Sequence, residues 1–199
     1  MIDGGMTFIE TVPVDDAPEA VARHYDAART PAGTVPNHAQ AFSLRPEVYA
    51  AWRQLLSAIT ADLDPRRYEL ATVAAARRIR SSYCMLAHGS ILADRFLGPD
   101  GVRAVVDDHR AAGLDDVDVA VFELADKVAG DATSVTQADV DRLRALGLSD
   151  AEILDVVLAA AVRCFYSKVL DALGVQPDPH YAELEPGLRD ALTIGRPIA

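Results

Sequence analysis

Cysteine is scarce: the 199 residues hold two, Cys84 and Cys164. Two thiols do not build the disulfide framework of a small secreted scaffold, and a reducing compartment keeps them as thiols. Positive charge is also short. Nineteen Lys and Arg stand against 30 Asp and Glu, for a formal net charge of −11. Such a surface repels phosphate backbones, so nucleic acid is not an expected partner. The basic strip RRIR, residues 77–80, reads as a solvated helix end near its negative dipole pole. A long uninterrupted apolar run is missing too. The longest candidate, ILDVVLAAAVRCFYSKVL at 153–170, is broken by Asp155, Arg163 and Lys168. It reads as a buried helix rather than a membrane span. The opening MIDGGMTFIETVPVDD has neither a basic n-region nor an apolar h-region, so no signal peptide is expected and a cytoplasmic location is the expectation. Low-complexity stretches and internal repeats are absent.

Strand-like alternation is nearly missing as well, and what remains is helix. Half of the residues are apolar, recurring every three or four positions. The pattern predicts an all-α fold, with helices near 17–29, 46–60, 65–80, 82–96, 101–112, 116–129, 136–146, 149–173 and 180–192. Pro46 and Pro65 suit first helical turns. Thr136 with Asp139, and Ser149 with Glu152, fit capping boxes. Gly147 and Gly174 stand where C-terminal caps belong. No linker divides the chain, so residues 1–199 read as one domain, with residues 1–16 as an extended N-terminal arm. The stretch 33–44 is the most irregular in the interior and is a candidate cover for a pocket. The helix at 149–173 is apolar around most of its circumference. In a chain this small, full burial of such a helix implies a second subunit, so a homo-oligomer is expected.

Chemistry concentrates in RRYELATVAAARRIRSSYCMLAHGSILADRF, residues 66–96. Ser81 or Ser82 is placed to cap a new helix. Cys84 then falls in its first turn, where free N–H groups and the helix dipole favour a thiolate. His88 lies four residues on, on the same face. A helix–turn–helix folds Glu69 back towards that face, where it can orient His88 or pass a proton. Tyr83 adds a nearby hydroxyl. Read singly, each residue has an ordinary role. Cys84 suits a small buried site, His88 a satisfied histidine, and Glu69 a favourable charge near a helix start. A metal site built from Glu69, Cys84 and His88 is a weaker alternative, because no second Cys/His pair at ligand spacing exists. Neither a metal nor another cofactor is expected.

The same residues carry a family resemblance. Glu, eleven residues, Cys-x-x-Cys, three residues, His is the signature of the AhpD-like alkylhydroperoxidase and carboxymuconolactone decarboxylase family. Glu69, Cys84 and His88 match its Glu, second Cys and His, and Ser81 stands at the first Cys. TVPNHAQAFSLRPEVYAAWRQLL (34–56) is similar to the segment preceding the motif in the peroxidase-related branch. Residues 122–161 resemble the family's later helices, so the resemblance spans roughly 10–175. It implies an oligomeric AhpD-like multi-helix bundle, a dimer, trimer or hexamer. It also implies peroxide reduction at a cysteine pair, with Glu and His as proton relay.

With Ser81 in place of a cysteine, a local disulfide cannot form. The reading that follows is a thiol-dependent peroxidase acting through Cys84 alone, its sulfenic acid resolved by an external thiol reductant or by Cys164. The family's decarboxylase branch gives the alternative: proton transfer on a small carboxylic acid by His88 and Glu69, with Arg77, Arg78 or Arg80 as carboxylate anchor. A non-catalytic family member is the third. In the first two readings the partner is a small molecule, a peroxide or a small organic acid.

Overall fold

The computed structural model describes residues 6–198. Among them the helices are Glu19–Ala28 (α1), Asn37–Gln40 (α2), Pro46–Ile59 (α3), Pro65–Arg78 (α4), Ser82–Leu92 (α5), Gly98–Asp108 (α6), Asp116–Asp131 (α7), Gln137–Ala145 (α8), Asp150–Ala172 (α9) and Pro186–Leu192 (α10). A π-helical turn, Ala93–Leu97, joins α5 to α6, and short 3-10 turns follow α7 and precede α10. No strand occurs among the described residues, as the sequence predicts. None of the described helices is long and apolar enough to cross a membrane.

The expected boundaries hold where the chemistry is local. α3 and α4 begin at Pro46 and Pro65, and the Asp64 carboxylate accepts the Arg67 N–H at 3.0 Å. Glu152 accepts the Ser149 N–H at 2.8 Å, completing the expected box at the start of α9. Gly147 and Gly174 adopt the left-handed conformation (φ 97° and 66°) that ends α8 and α9. Two expectations need correction. The irregular stretch 33–44 contains a helical turn, α2. The last predicted helix splits at Leu184 and Glu185, because Pro179 and Pro186 each start their own segment.

α4 occupies the centre and packs against α5, α7 and α9. Every residue from Glu69 to Ala76 is buried. Four of those eight are alanine, whose small side chain lets neighbouring helices approach on several sides. α9 is not the most enclosed helix. Its Ile153, Val156, Val162 and Leu170 face the core, while Leu154 and Phe165 are about half exposed (55% and 47%). With Leu55 of α3, Leu158 and Phe165 border an open apolar groove of about 690 Å³ floored by Trp52 and Val162.

Residues 6–16 form neither helix nor strand. The Phe8 N–H donates to the Leu173 carbonyl (2.7 Å) and the Gln176 N–H to the Met6 carbonyl (3.0 Å), which ties this segment to the end of α9. The first five residues of the expected arm lie outside the described residues.

The turn from α4 to α5 sets the site. Arg80 has φ 61°, and among the described residues it is the non-glycine with positive φ. The Ser81 N–H reaches back to the Ala76 carbonyl at 2.9 Å, the bond that usually accompanies a glycine at this place. The C-terminal tail covers the turn. The Gly195 N–H donates to Ser82 Oγ at 2.9 Å, and a Cβ on Gly195 would come within 1.8 Å of the Arg80 carbonyl oxygen. Arg80 is exposed and, among the described residues, its side chain has no hydrogen bond or ion pair, so only its backbone carries the strain. Arg80→Gly is therefore expected to raise stability by up to about 1 kcal/mol in urea melts, with unchanged helix content.

Candidate active site

α4 and α5 meet as an antiparallel pair, and this brings Glu69 and His88 together. Glu69 Oε2 lies 2.7 Å from His88 Nδ1, with both side chains largely buried. The carboxylate fixes the ring and commits Nδ1, so Nε2 is the nitrogen left for a reacting group. Burial, then the Arg163 charge, push the His88 pKa below the ordinary histidine value, against the pull of Glu69. His88 is thus a neutral base at pH 7.

Cys84 is the third residue of α5, within its first turn, and is 1% exposed. Its partner was not foreseen. Arg163 of α9, 3% exposed, places Nη1 3.8 Å from Cys84 Sγ. Nη2 of the same guanidinium donates to the Tyr68 hydroxyl at 3.0 Å, and Nε is buried with no hydrogen-bond partner. Burial opposes the Arg163 charge, yet the Cys84 sulfur and the Tyr68 oxygen hold its pKa above the ordinary arginine value. A lone arginine in the run VLAAAVRCF was the available signal. A cation on a buried helix face needs an electron-rich partner.

Ser81 and Tyr83 do not act as expected. Ser81 is fully buried at the N-cap position, but its hydroxyl makes no cap bond to α5. Ser82 does not cap α5 either, since its oxygen accepts from Gly195. The Tyr83 hydroxyl turns away from the sulfur. It donates to Asp178 and accepts the His38 N–H at 3.2 Å. The Asn37 N–H also donates to Asp178, at 2.8 Å. This network ties α2 to the start of α5 and to Asp178. His38 Nδ1 and the Tyr166 hydroxyl are 2.6 Å apart, and Tyr166 stacks on Trp52 with ring centroids 3.9 Å apart.

The proposed carboxylate anchors lie elsewhere. Arg77 Nε donates to the Val106 carbonyl at 3.0 Å, Arg78 pairs with Asp126, and Arg80 is exposed at the turn. Cys164 follows Arg163 directly on α9. Consecutive helical residues diverge by about 100°, so Cys164 is turned off the direction in which Arg163 meets Cys84. Among the described residues no three His, Cys, Asp or Glu side chains cluster so as to hold a metal ion.

Burial pushes the His38 pKa down to about 4, with Arg163, His88 and Arg53 acting the same way and Asp178 opposing. Between pH 6.5 and about 4 the unfolded histidine binds a proton that the folded one rejects, so stability falls as pH drops through this window. The expected loss attributable to His38 is about 3 kcal/mol. Urea melts at pH 7 and pH 4.5 measure it, and His38→Gln should flatten the difference.

No family model matches the sequence, and no curated protein matches it either. Solved structures do. The alkylhydroperoxidase AhpD core of an uncharacterized peroxidase-related protein from Ralstonia eutropha superposes with a TM-score of 0.80 at 21% identity, covering 90% of this chain and 96% of that one. An uncharacterized peroxidase-related protein from a Silicibacter species gives a TM-score of 0.80 at 21% identity, covering 91% and 96%. The debrominase Bmp8 gives a TM-score of 0.70 at 16% identity, covering 96% and 100%, and a Cys-to-Ala variant of it has been crystallised with 2,3,4-tribromopyrrole. Across nearly their whole length, then, these chains share one arrangement of helices, and the protein has the AhpD-like fold.

Proposed function

We propose that the protein is a thiol-dependent peroxidase working through one cysteine, Cys84. The observation that carries this reading is the buried guanidinium of Arg163 on the Cys84 sulfur, at the first turn of α5. A fixed cation and free helix N–H groups stabilise negative charge on sulfur, and the anionic form is the nucleophile. His88, oriented by Glu69, takes the thiol proton at Nε2. The sulfur then attacks the hydroxyl oxygen of a peroxide. An S–O bond forms, the O–O bond breaks, and the leaving alkoxide takes up one proton. The unpaired Nε–H of Arg163 is a donor available to a peroxide oxygen. An external thiol attacks the sulfenic acid, releasing water, and a second thiol releases Cys84 as a disulfide leaves. With Ser81 at the first motif position, no local disulfide enters this cycle.

The fold's likeness to a debrominase, with aromatic rings around the centre, supports a second reading in which the same thiolate attacks a halogen on an aromatic ring. A decarboxylase-type role has less support, because Arg77, Arg78 and Arg80 are spent or exposed away from Cys84.

We further propose that the groove edged by Leu55, Leu158 and Phe165 is covered by another copy of this chain, making a homo-oligomer. Phe165→Glu is then expected to shift the mass measured by light scattering towards the monomer, with the helical spectrum retained.

The first test follows Cys84 oxidation by hydrogen peroxide and cumene hydroperoxide, using intact mass and a sulfenic-acid trap. Oxidation should outpace that of an ordinary exposed thiol. Losing an acid–base partner or the buried cation should slow it by about 100-fold or more in His88→Ala and Arg163→Met. A bromopyrrole run beside the peroxides separates the two thiol readings, and no acceleration with either substrate sinks both. The acid limb of the rate should lie below pH 6.5, because the His88 pKa is lowered and the base form survives into acid. Glu69→Gln removes the carboxylate that holds this pKa up, so the limb should move to still lower pH while the plateau rate drops.

A further inference from the structure

The Glu69–His88 pair serves the proton leaving the thiol. The leaving oxygen needs a proton delivered, and a second buried polar chain reaches the same centre from other helices. Tyr166 lies three residues beyond Arg163 on α9, and the Arg163 guanidinium carbon is 5.9 Å from its ring centroid. Its hydroxyl is 2.6 Å from His38 Nδ1. The Tyr49 hydroxyl hydrogen-bonds to Tyr166 and to Arg53. Tyr49 and Arg53 also line an open cavity of about 580 Å³ between α1 and α3. The order is therefore Tyr49, Tyr166, His38, with Tyr49 in the wall of that cavity.

His38 is held for such a role. Its backbone N–H is bound to Tyr83, whose hydroxyl is bound to Asp178. The groups facing it are Tyr49 and Arg53 from α3, Tyr83 and His88 from α5, Arg163 and Tyr166 from α9, and Asp178 after α9. With Nδ1 committed to Tyr166, Nε2 is its other proton-bearing atom. The ring is neutral at pH 7 and Tyr166 stays protonated, raised well above the ordinary tyrosine value by burial. A neutral imidazole between a hydroxyl and a reacting oxygen can pass a proton through its two nitrogens.

We propose that His38, backed by Tyr166 and Tyr49, is a second proton relay of the Cys84 centre, supplying the leaving oxygen with its proton. The proposal rests on the peroxidase reading. As the O–O bond breaks, its electron pair leaves on the alkoxide. The alkoxide takes the Nε2 proton of His38, and the Tyr166 hydroxyl refills Nδ1. Tyr49 refills Tyr166, and solvent refills Tyr49. One proton enters from solvent and one alcohol leaves. In this scheme Tyr49 and Tyr166 are positioning residues that act through His38.

The test compares two reactions of the same sulfur in the full-length protein. Oxidation by cumene hydroperoxide needs a proton on the leaving oxygen, whereas alkylation by iodoacetamide releases iodide and needs none. His38→Gln and Tyr166→Phe are expected to slow oxidation by about 100-fold and about 10-fold, while alkylation changes by less than about three-fold. Tyr166→Phe keeps the ring that stacks on Trp52, so it removes the hydroxyl without removing the packing. Equal losses in both reactions would mean that these residues only hold the site in shape, and no loss in either would mean that no relay runs through them. Both outcomes overturn the relay while leaving the peroxidase reading intact. A wild-type Cys84 oxidised no faster than an ordinary thiol overturns the peroxidase reading and the relay with it.

Discussion

A buried guanidinium without a carboxylate is the constraint on which the rest of the site depends. Desolvating an arginine costs several kcal/mol unless partners return that energy. Arg163 is 3% exposed, and among the described residues it has no Asp or Glu partner. It has a sulfur and a phenol instead. The fold therefore places a permanent positive charge against Cys84, Tyr68 and the face of the Tyr166 ring. A carboxylate in the same place would satisfy the arginine and leave the sulfur without its electrostatic partner.

Three helices must agree for this pairing to exist, and the backbone shows how they are made to. α4 can be central because alanines let α5, α7 and α9 approach it closely. α5 must then begin at a fixed angle to α4, and the strained Arg80 turn sets that angle under the C-terminal tail. Glycine at 195 is required there by contact, since any side chain would meet the Arg80 carbonyl. The strain lies four residues before the reactive sulfur. It persists because the Ser81–Ala76 and Gly195–Ser82 bonds over-determine the turn.

Nine of the ten described helices and most of their boundaries were legible in the sequence, because prolines, capping boxes and left-handed glycines act through neighbours within four residues. Glu69 and His88 were legible for a similar reason: one helix turn and one short connection bring them together. Arg163, His38 and Tyr166 were not. Arg163 meets Cys84, and Tyr166 meets His38, only after α2 and α9 have packed, and no spacing rule relates position 38 to position 166. The capping reading of Ser81 failed on a different ground. Propensity gave the hydroxyl a local role, while burial and the fixed turn left it without a cap bond. The all-round apolar pattern of α9 was read correctly as excess. It could not say that α4, with smaller side chains, would be the helix enclosed on every side.

The serine at position 81 changes what the site has to solve. A second cysteine one turn away would resolve a sulfenic acid within the helix, without exposing it. Here Cys84 is 1% exposed, and Cys164 is turned off to another face of α9. A peroxide is small, but a thiol reductant is larger and must approach in line with the S–O bond, so burial weighs more on the second step than on the first. α2 is held through Tyr83, Asp178, Asn37 and His38, a network of hydrogen bonds around one carboxylate. A hydrogen bond to a charged group contributes about 1.5–3 kcal/mol net, so these contacts hold α2 firmly in place. In the proposed single-cysteine cycle the proton for the leaving oxygen would come from His38 on this same short helix, so a change that loosens α2 would act on the chemistry as well as on the packing.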